Sequence, residues 1–153
     1  LQIIQSILAG QGGRLFLELR DKASLAYTVA PLRMEGIDAG YFGAYIGCSP
    51  EKGEKAISMM KIEFEKLMNE AVSADELERS KKYLIGRHDI DLQKTSSVSA
   101  AILFDSIYGL PADEAFQFPD KIQAVNPEGV QDLAQKIFSQ HAVVSAVGPQ
   151  KPW

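Results

Sequence analysis

The segment with the clearest capacity for chemistry is a glycine-rich break that leads into a short helix and then a strand. The break contains Gly10, Gly12 and Gly13, the helix ends near Arg20, and Tyr27 follows seven residues later. Glycines let backbone N–H groups approach a ligand closely. A guanidinium and a phenol held on rigid elements can donate hydrogen bonds to carbonyl oxygens, including one that develops negative charge.

The spacing of these two side chains also fits purely structural roles. Arg20 would then favour the C-terminus of its helix, where the helix dipole stabilises a cation. Tyr27 would be half-buried in the sheet, with its ring packed against neighbouring side chains and its hydroxyl in contact with water. On spacing alone, the structural interpretation is favoured over the functional one.

No other constellation in the sequence predicts catalysis or metal binding. His88 and His141 are the only histidines, and neither lies in H-E-x-x-H or its inverse, H-x-x-E-H. Asp89 and Asp91 flank His88 on a predicted helix, but at these spacings the three side chains do not converge. We therefore expect His88 on a helix surface and His141 in a loop. The lone Cys48 cannot form an internal disulfide and is expected to be a small buried side chain.

Composition excludes several classes of protein. The 153 residues are 46% hydrophobic and 24% charged, which is typical of one globular domain and not of a disordered chain. With 16 basic and 20 acidic residues, the net charge is −4, so the chain offers no basic surface for nucleic acid. No uncharged apolar run approaches the roughly 18 residues of a membrane span.

Two strands are predicted to follow the candidate segment as an antiparallel hairpin. The first covers Leu25–Leu32, with Leu25, Tyr27 and Val29 on one face and a limit at Pro31. The second covers Tyr41–Cys48, and the glycines between the strands favour a long hairpin loop.

Helices account for most of the remaining chain. Apolar residues recur at helical spacing over residues 3–8 and 14–21, and Ser73 to Glu76 forms a capping box at the start of a helix that runs from Ala74 towards Leu92. Other helices are predicted from Ser49 to Ala71, from Thr95 to near Gly109, over residues 113–124 and from Asn126, and Val143–Val147 is predicted as a strand in the hairpin's sheet. This order predicts an α+β fold, an antiparallel-rich sheet with helices layered on one face.

A family resemblance extends over nearly the whole chain. The run G-G-R-L-F-x-E-L-R-D-K-x-S-L-A-Y at residues 12–27 resembles the signature of the pitrilysin/insulinase family of zinc metallopeptidases, which includes the mitochondrial processing peptidases. Residues 73–81, 122–130 and 143–149 resemble later segments of the same family, in the same order.

The resemblance implies one half of a clam shell built from two similar halves. The first half carries the zinc, and the second carries no metal but contributes an arginine and a tyrosine to the closed active site. These map onto Arg20, which would bind the substrate backbone, and Tyr27, which would hydrogen-bond near the scissile carbonyl. Gly10, Gly12 and Gly13 fall where the family places a substrate-facing loop.

The resemblance also implies what the chain works with. Residues 1–153 are expected to form a single C-terminal-half, non-zinc domain, truncated at its N-terminus and lacking its first strand or strands. Its partners would be a zinc-bearing half in the same or another chain and a peptide or unfolded polypeptide substrate, and another copy could cover the open sheet edge. Alone it would be inactive and hold no zinc. The alternative is a non-catalytic structural subunit of the same fold.

Overall fold

The computed structural model describes residues 1–149, and the predicted α+β architecture is confirmed. Residues 150–153, which the predicted domain also includes, lie outside the described part. The elements, in chain order, are α1 (Gln2–Leu8), a π-helix (Phe16–Lys22), β1 (Ala26–Met34), β2 (Tyr41–Cys48), a 3-10 turn (Pro50–Lys52), α2 (Gly53–Asn69), α3 (Ala74–Asp91), α4 (Thr95–Ile107), α5 (Glu114–Gln123) and α6 (Pro127–Phe138).

The two predicted strands form the antiparallel hairpin. Val29 lies opposite Ile46 and Met34 lies opposite Tyr41, with a six-residue connection between the strands. The predicted limit of the first strand is wrong, because β1 continues through Pro31 to Met34. Within the described residues β1 pairs only with β2, and a strand with a free edge tolerates the missing N–H of a proline.

The core lies between the helices and one face of the hairpin. Three aromatic side chains mark this contact, with the Phe64 and Phe138 ring centroids 4.8 Å apart and Phe42 on β2 touching both. The apolar face of α1 is fully enclosed, and the buried cluster comprises Ile3, Ile4, Ile7, Leu8, Leu15, Leu19, Leu67, Val72, Leu77, Ile122, Val130 and Ala134. Among the described helices, none is both long and apolar enough to cross a bilayer.

Side-chain caps begin two of the helices where the sequence predicts. The Ser73 hydroxyl accepts a hydrogen bond from the Glu76 N–H at 3.2 Å, and Asn126 Oδ1 accepts one from the Gly129 N–H at 2.9 Å. The second half of the predicted capping box is wrong, because the Glu76 carboxylate does not turn back to its own helix. The carboxylate instead accepts a hydrogen bond from Arg14, which lies 62 residues away in the sequence.

The predicted strand at Val143–Val147 is also wrong. Residues 141–147 have no regular structure, and the sheet contains only β1 and β2 within the described chain. Val143 is 91% exposed. β-Branched residues favour an extended backbone, but a strand also needs a neighbouring edge to pair its N–H and C=O groups. Within residues 1–149, this segment pairs with neither β1 nor β2.

Candidate functional site

The glycine-rich break forms a tight loop between α1 and the π-helix. Gly10 has φ +73°, a left-handed conformation that favours glycine. A Cβ at Gly13 would lie 2.1 Å from the Ala9 carbonyl oxygen, so a side chain there is excluded. The loop borders a shallow depression of about 250 Å³ that is completed by Arg79, Ser80 and Tyr83 of α3. Arg20 and Tyr27 do not line this depression.

Arg20 projects from the π-helix at Phe16–Lys22. The sequence predicts an ordinary helix here, but the turns are wider, a feature often found at functional sites. Leu15 and Leu19 are completely buried in the core and hold the segment in place. Arg20 itself is half-buried, on the side of the segment that faces β1.

A β-bulge determines the direction of Tyr27. Ala26 pairs with Cys48 and Thr28 with Gly47, so Tyr27 is an extra residue with no partner on β2. The prediction that Leu25, Tyr27 and Val29 share one face is wrong, since Leu25 is buried, whereas Tyr27 is 83% exposed. The alternative of a half-buried Tyr27 is wrong for the same reason. Bulges re-aim side chains and are frequent beside active sites.

The structure brings Arg20 and Tyr27 together. The central guanidinium carbon of Arg20 lies 5.0 Å from the Tyr27 ring centroid and 4.7 Å from that of Phe16. Each such cation–π contact is worth roughly 0.5–1 kcal/mol at an exposed position. No carboxylate within residues 1–149 lies at ion-pair distance from Arg20. The in-plane N–H donors of Arg20 are therefore not consumed by an acidic partner in the described chain.

The turn between Arg20 and Tyr27 has a strained backbone that hydrogen bonds hold in place. Ser24 has φ +50°, a conformation that costs a non-glycine residue roughly 1–3 kcal/mol. Its N–H donates to the Arg20 carbonyl at 3.1 Å, and its own carbonyl accepts a hydrogen bond from Lys52 Nζ at 2.9 Å. The Leu25 N–H donates to the Leu19 carbonyl at 2.9 Å. These bonds set the separation of the π-helix from β1.

A salt bridge fixes the start of this segment to α3. Arg14 Nε and Nη2 donate to the two carboxylate oxygens of Glu76 at 2.8 and 2.6 Å. Both side chains are largely buried, and the hydrogen bond to Glu76 raises the pKa of Arg14 above its usual value. This pair explains why Glu76 does not complete its capping box.

The arrangement offers hydrogen-bond donors and no metal chemistry of its own. Within residues 1–149, no three His, Cys, Asp or Glu side chains are grouped to hold a metal ion. His141 is exposed outside any element, as predicted. His88 departs from prediction, since it is half-buried and stacks on Phe118 with ring centroids 4.5 Å apart. Cys48, which was expected to be buried, is also half-buried.

Two participants were not identified from the sequence. Phe16 lies four residues before Arg20, a spacing that places both on one side of a helix and could have indicated the contact. Ser24 gives no such signal, because a left-handed conformation at serine follows from the surrounding packing and not from the residue type.

Comparison with known sequences identifies relatives over most of the chain. Residues 1–84 match the family model described as the peptidase M16 inactive domain. An uncharacterized zinc protease of Streptomyces coelicolor is 26% identical over 142 residues, which are 93% of this chain and 31% of that protein. One from Rickettsia felis is 29% identical over 143 residues, 92% of this chain and 34% of that protein. The chain thus spans about a third of the curated relatives it matches.

Solved structures share the fold. The crystal structure of a peptidase M16 inactive domain from Pseudomonas fluorescens superposes with a TM-score of 0.81 at 22% identity, covering 89% of this chain and 33% of that one. The periplasmic protease PqqL from Escherichia coli gives a TM-score of 0.70 at 17% identity, covering 90% of this chain and 15% of that one. Similarity at this level of identity concerns the fold alone.

Proposed function

The chain belongs to the peptidase M16 family as its inactive domain, and we propose that it supplies the substrate-binding, transition-state-stabilising half of a zinc metalloendopeptidase active site. The observation that carries the proposal is the contact between Arg20 and the exposed, bulge-mounted Tyr27. The names of the curated relatives, which are zinc proteases, support the class of reaction.

In this proposal Tyr27 donates its hydroxyl hydrogen to the oxygen of the scissile carbonyl. Peptide hydrolysis places negative charge on that oxygen as water adds to the carbonyl carbon, and a donor aimed at it stabilises the transition state. The bulge supports this role, because it turns the tyrosine away from the packed face of the sheet. An 83% exposed ring contributes little to the core, so its presence is better explained by a ligand than by packing.

Arg20 binds the substrate backbone beside that carbonyl. A guanidinium held over aromatic rings keeps its in-plane N–H groups available, and their planar fork matches carbonyl oxygens. A more distant part of the same substrate would contact the backbone N–H groups of Gly10, Gly12 and Gly13. The depression between this loop and α3 supports a continuing path for an extended polypeptide.

The zinc and the water it activates belong, in this proposal, to a separate zinc-bearing half in the same chain or a partner chain. The substrate is a peptide or an unfolded polypeptide. We expect the 153-residue chain alone to retain no stoichiometric zinc and to cleave no peptide. Metal analysis that finds about one tightly bound zinc per purified chain would contradict the proposal that the zinc binds to a separate half.

The decisive experiment is Tyr27→Phe in the longer protein that includes the zinc-bearing half. The change removes one hydroxyl and keeps the ring over Arg20, so folding and zinc content should be preserved. Loss of one oxyanion donor is expected to lower turnover by about 10²–10³-fold. Tyr41→Phe is the matched control, because Tyr41 is also exposed on this hairpin but lies at its opposite end. It should leave turnover unchanged.

Wild-type turnover in the folded Tyr27→Phe protein would refute the active-site assignment. The non-catalytic structural subunit of the same fold would then be the better interpretation. A lower melting temperature with unchanged turnover would point to the same conclusion, since it would assign Tyr27 a purely structural role.

A further inference from the structure

The side of the hairpin that faces away from the helices carries no charge. Four side chains of the two strands alternate inward and pack against the core, namely Val29, Phe42, Ala44 and Ile46. Six residues alternate outward and form what we call the outer hairpin face, namely Thr28, Ala30, Leu32, Gly43, Tyr45 and Gly47. None of the six is charged, and Leu32 and Tyr45 are 44% and 54% exposed.

This composition departs from that of an ordinary solvated sheet. An antiparallel sheet with one side against the core normally presents polar side chains to water on the other side. Charged residues occupy 24% of the chain, yet the outer hairpin face offers only the hydroxyls of Thr28 and Tyr45 as polar side-chain groups. Exposed apolar surface of this kind indicates an interaction site. A charged occupant is disfavoured, because it would lose water without gaining a partner.

The outer hairpin face begins beside Tyr27. The β-bulge leaves Tyr27 and Thr28 exposed in succession, whereas the next residue, Val29, packs against the core. Tyr45 approaches the same end of the hairpin, since its Oη lies 3.5 Å from the position that a Cβ of Gly47 would take. Gly47 is the partner of Thr28. A polypeptide whose carbonyl lies on Tyr27 can therefore continue directly onto this face.

The two glycines shape the surface of the face. Tyr45 leans over Gly47, whereas the space above Gly43 is open. Within residues 1–149, no atom beyond the chain neighbours of Gly43 lies within 4 Å of the position that a Cβ would take. Leu32 lies opposite on β1, so the face offers a hollow between apolar side chains. From Thr28 to Leu32 the strand extends about 14 Å, a length that about four extended substrate residues would match.

We propose that the outer hairpin face binds the substrate residues on one flank of the scissile bond and selects uncharged, apolar side chains there. This inference rests on the proposed function, in which Tyr27 holds the scissile carbonyl at one end of the face. Specificity on this flank then comes from the inactive domain and not from the zinc-bearing half. Unfolded polypeptides fit such a site, because they expose apolar side chains on an extended backbone.

The test uses the longer, zinc-bearing protein and fluorogenic peptides that carry one leucine, lysine or glutamate at each of the four positions on either side of the cleaved bond. On one flank, leucine is expected to give a kcat/KM about tenfold or more above lysine and glutamate, because only leucine gains from burial on this face. The same ranking is expected for the Kd of labelled peptides on the zinc-depleted protein, which measures binding without cleavage.

Two variants assign this preference to the outer hairpin face. Ala30→Glu places a negative charge opposite Tyr45 and should replace the preference for leucine with one for lysine. Gly43→Val fills the hollow and should raise the Kd of leucine peptides about fivefold or more. Its melting temperature should not fall, because valine favours strands and its Cβ enters open space. Ile37→Glu is the matched control, since it introduces the same charge at an exposed apolar position of the hairpin loop and should leave the preference unchanged.

The outcomes separate this inference from the proposed function. If Tyr27→Phe lowers turnover while Ala30→Glu and Gly43→Val leave the peptide preference unchanged, the role of Tyr27 stands and the outer hairpin face is not a subsite. If these two variants change the preference while Tyr27→Phe keeps wild-type turnover, the face is a peptide-binding surface and the catalytic proposal fails.

Two further results would overturn the inference. One is the absence of a leucine preference on both flanks. The other is an Ala30→Glu protein with unchanged preference whose melting temperature falls much more in the longer protein than in the 153-residue chain. That result would show that another part of the longer protein, and not substrate, covers the face.

Discussion

Arg14 and Arg20 flank two buried leucines of the same segment, yet their guanidinium groups differ in their partners. One pairs with a carboxylate and the other lies against aromatic rings. Arg14 makes two hydrogen bonds to Glu76, at 2.8 and 2.6 Å, and is largely buried. Arg20 lies over the rings of Phe16 and Tyr27 and has no acidic partner within residues 1–149.

This difference separates a structural arginine from one that is available for a ligand. A bidentate carboxylate uses the donors of Arg14 and ties the segment to α3. Two aromatic rings contact the guanidinium of Arg20, and its N–H groups have no acidic partner within residues 1–149. Arg14 thus fixes the segment to α3, whereas Arg20, six positions later, is available to bind a ligand. The following predictions test this division, from the largest expected effect to the smallest.

Leu19→Ala should cause the largest loss of stability. Leu19 is completely buried between the two arginines, and truncation of such a leucine costs about 2–5 kcal/mol through lost burial and the cavity left behind. Denaturant unfolding of the 153-residue chain measures this. Leu17→Ala, on the exposed side of the same segment, should cost about 1 kcal/mol or less. Equal costs would contradict the orientation of the segment.

Arg20→Lys in the longer, zinc-bearing protein should raise the Michaelis constant more than it lowers turnover. A lysine keeps the charge but loses the planar fork, and a lost charge-assisted hydrogen bond corresponds to an effect on the order of 10- to 100-fold. Arg14→Lys is the control and should leave the kinetics of the folded enzyme unchanged. If Arg14→Lys alters the Michaelis constant as strongly, the two arginines do not differ in role.

Glu76→Gln should destabilise the chain by about 1–3 kcal/mol, because it leaves a largely buried guanidinium without its counter-charge. Since Glu76 raises the pKa of Arg14, the contribution of Arg14 is fully present below its ordinary pKa and is lost only at higher pH. The cost should therefore be constant between about pH 6 and 9. Unfolding curves across that range test this. Glu65→Gln, at an exposed position of α2, should change stability by less than about 0.5 kcal/mol.

Phe16→Leu should have the smallest effect. It removes one of the two rings under Arg20, a contact worth roughly 0.5–1 kcal/mol, and should raise the Michaelis constant by no more than about fivefold. Phe116→Leu, an exposed phenylalanine of α5, is the matched control with no expected change. An effect of Phe16→Leu as large as that of Arg20→Lys would show that the ring itself contacts substrate.

Local patterns predicted most of the elements correctly. The second strand begins and ends at Tyr41 and Cys48 as expected, and α3 begins at Ala74 behind the Ser73 cap. Periodicity and caps succeed here because they depend on neighbours within about one helical turn. The resemblance of residues 12–27 identified Arg20 and Tyr27 as a pair, and the structure places them in contact.

The sequence by itself determined the helices, the hairpin and the family, and it led to the hypothesis that Arg20 and Tyr27 carry the chemistry. Tertiary structure decided the exposure of Tyr27, the partner of Glu76, the burial of His88 and the unpaired state of residues 143–147. Each of these depends on residues distant in the chain. A bulge is defined by the opposite strand, a salt bridge by an arginine 62 positions away, and a strand by an adjacent edge. Local propensity contains none of this information, because long-range contacts are selected by packing and by the pairing of polar groups.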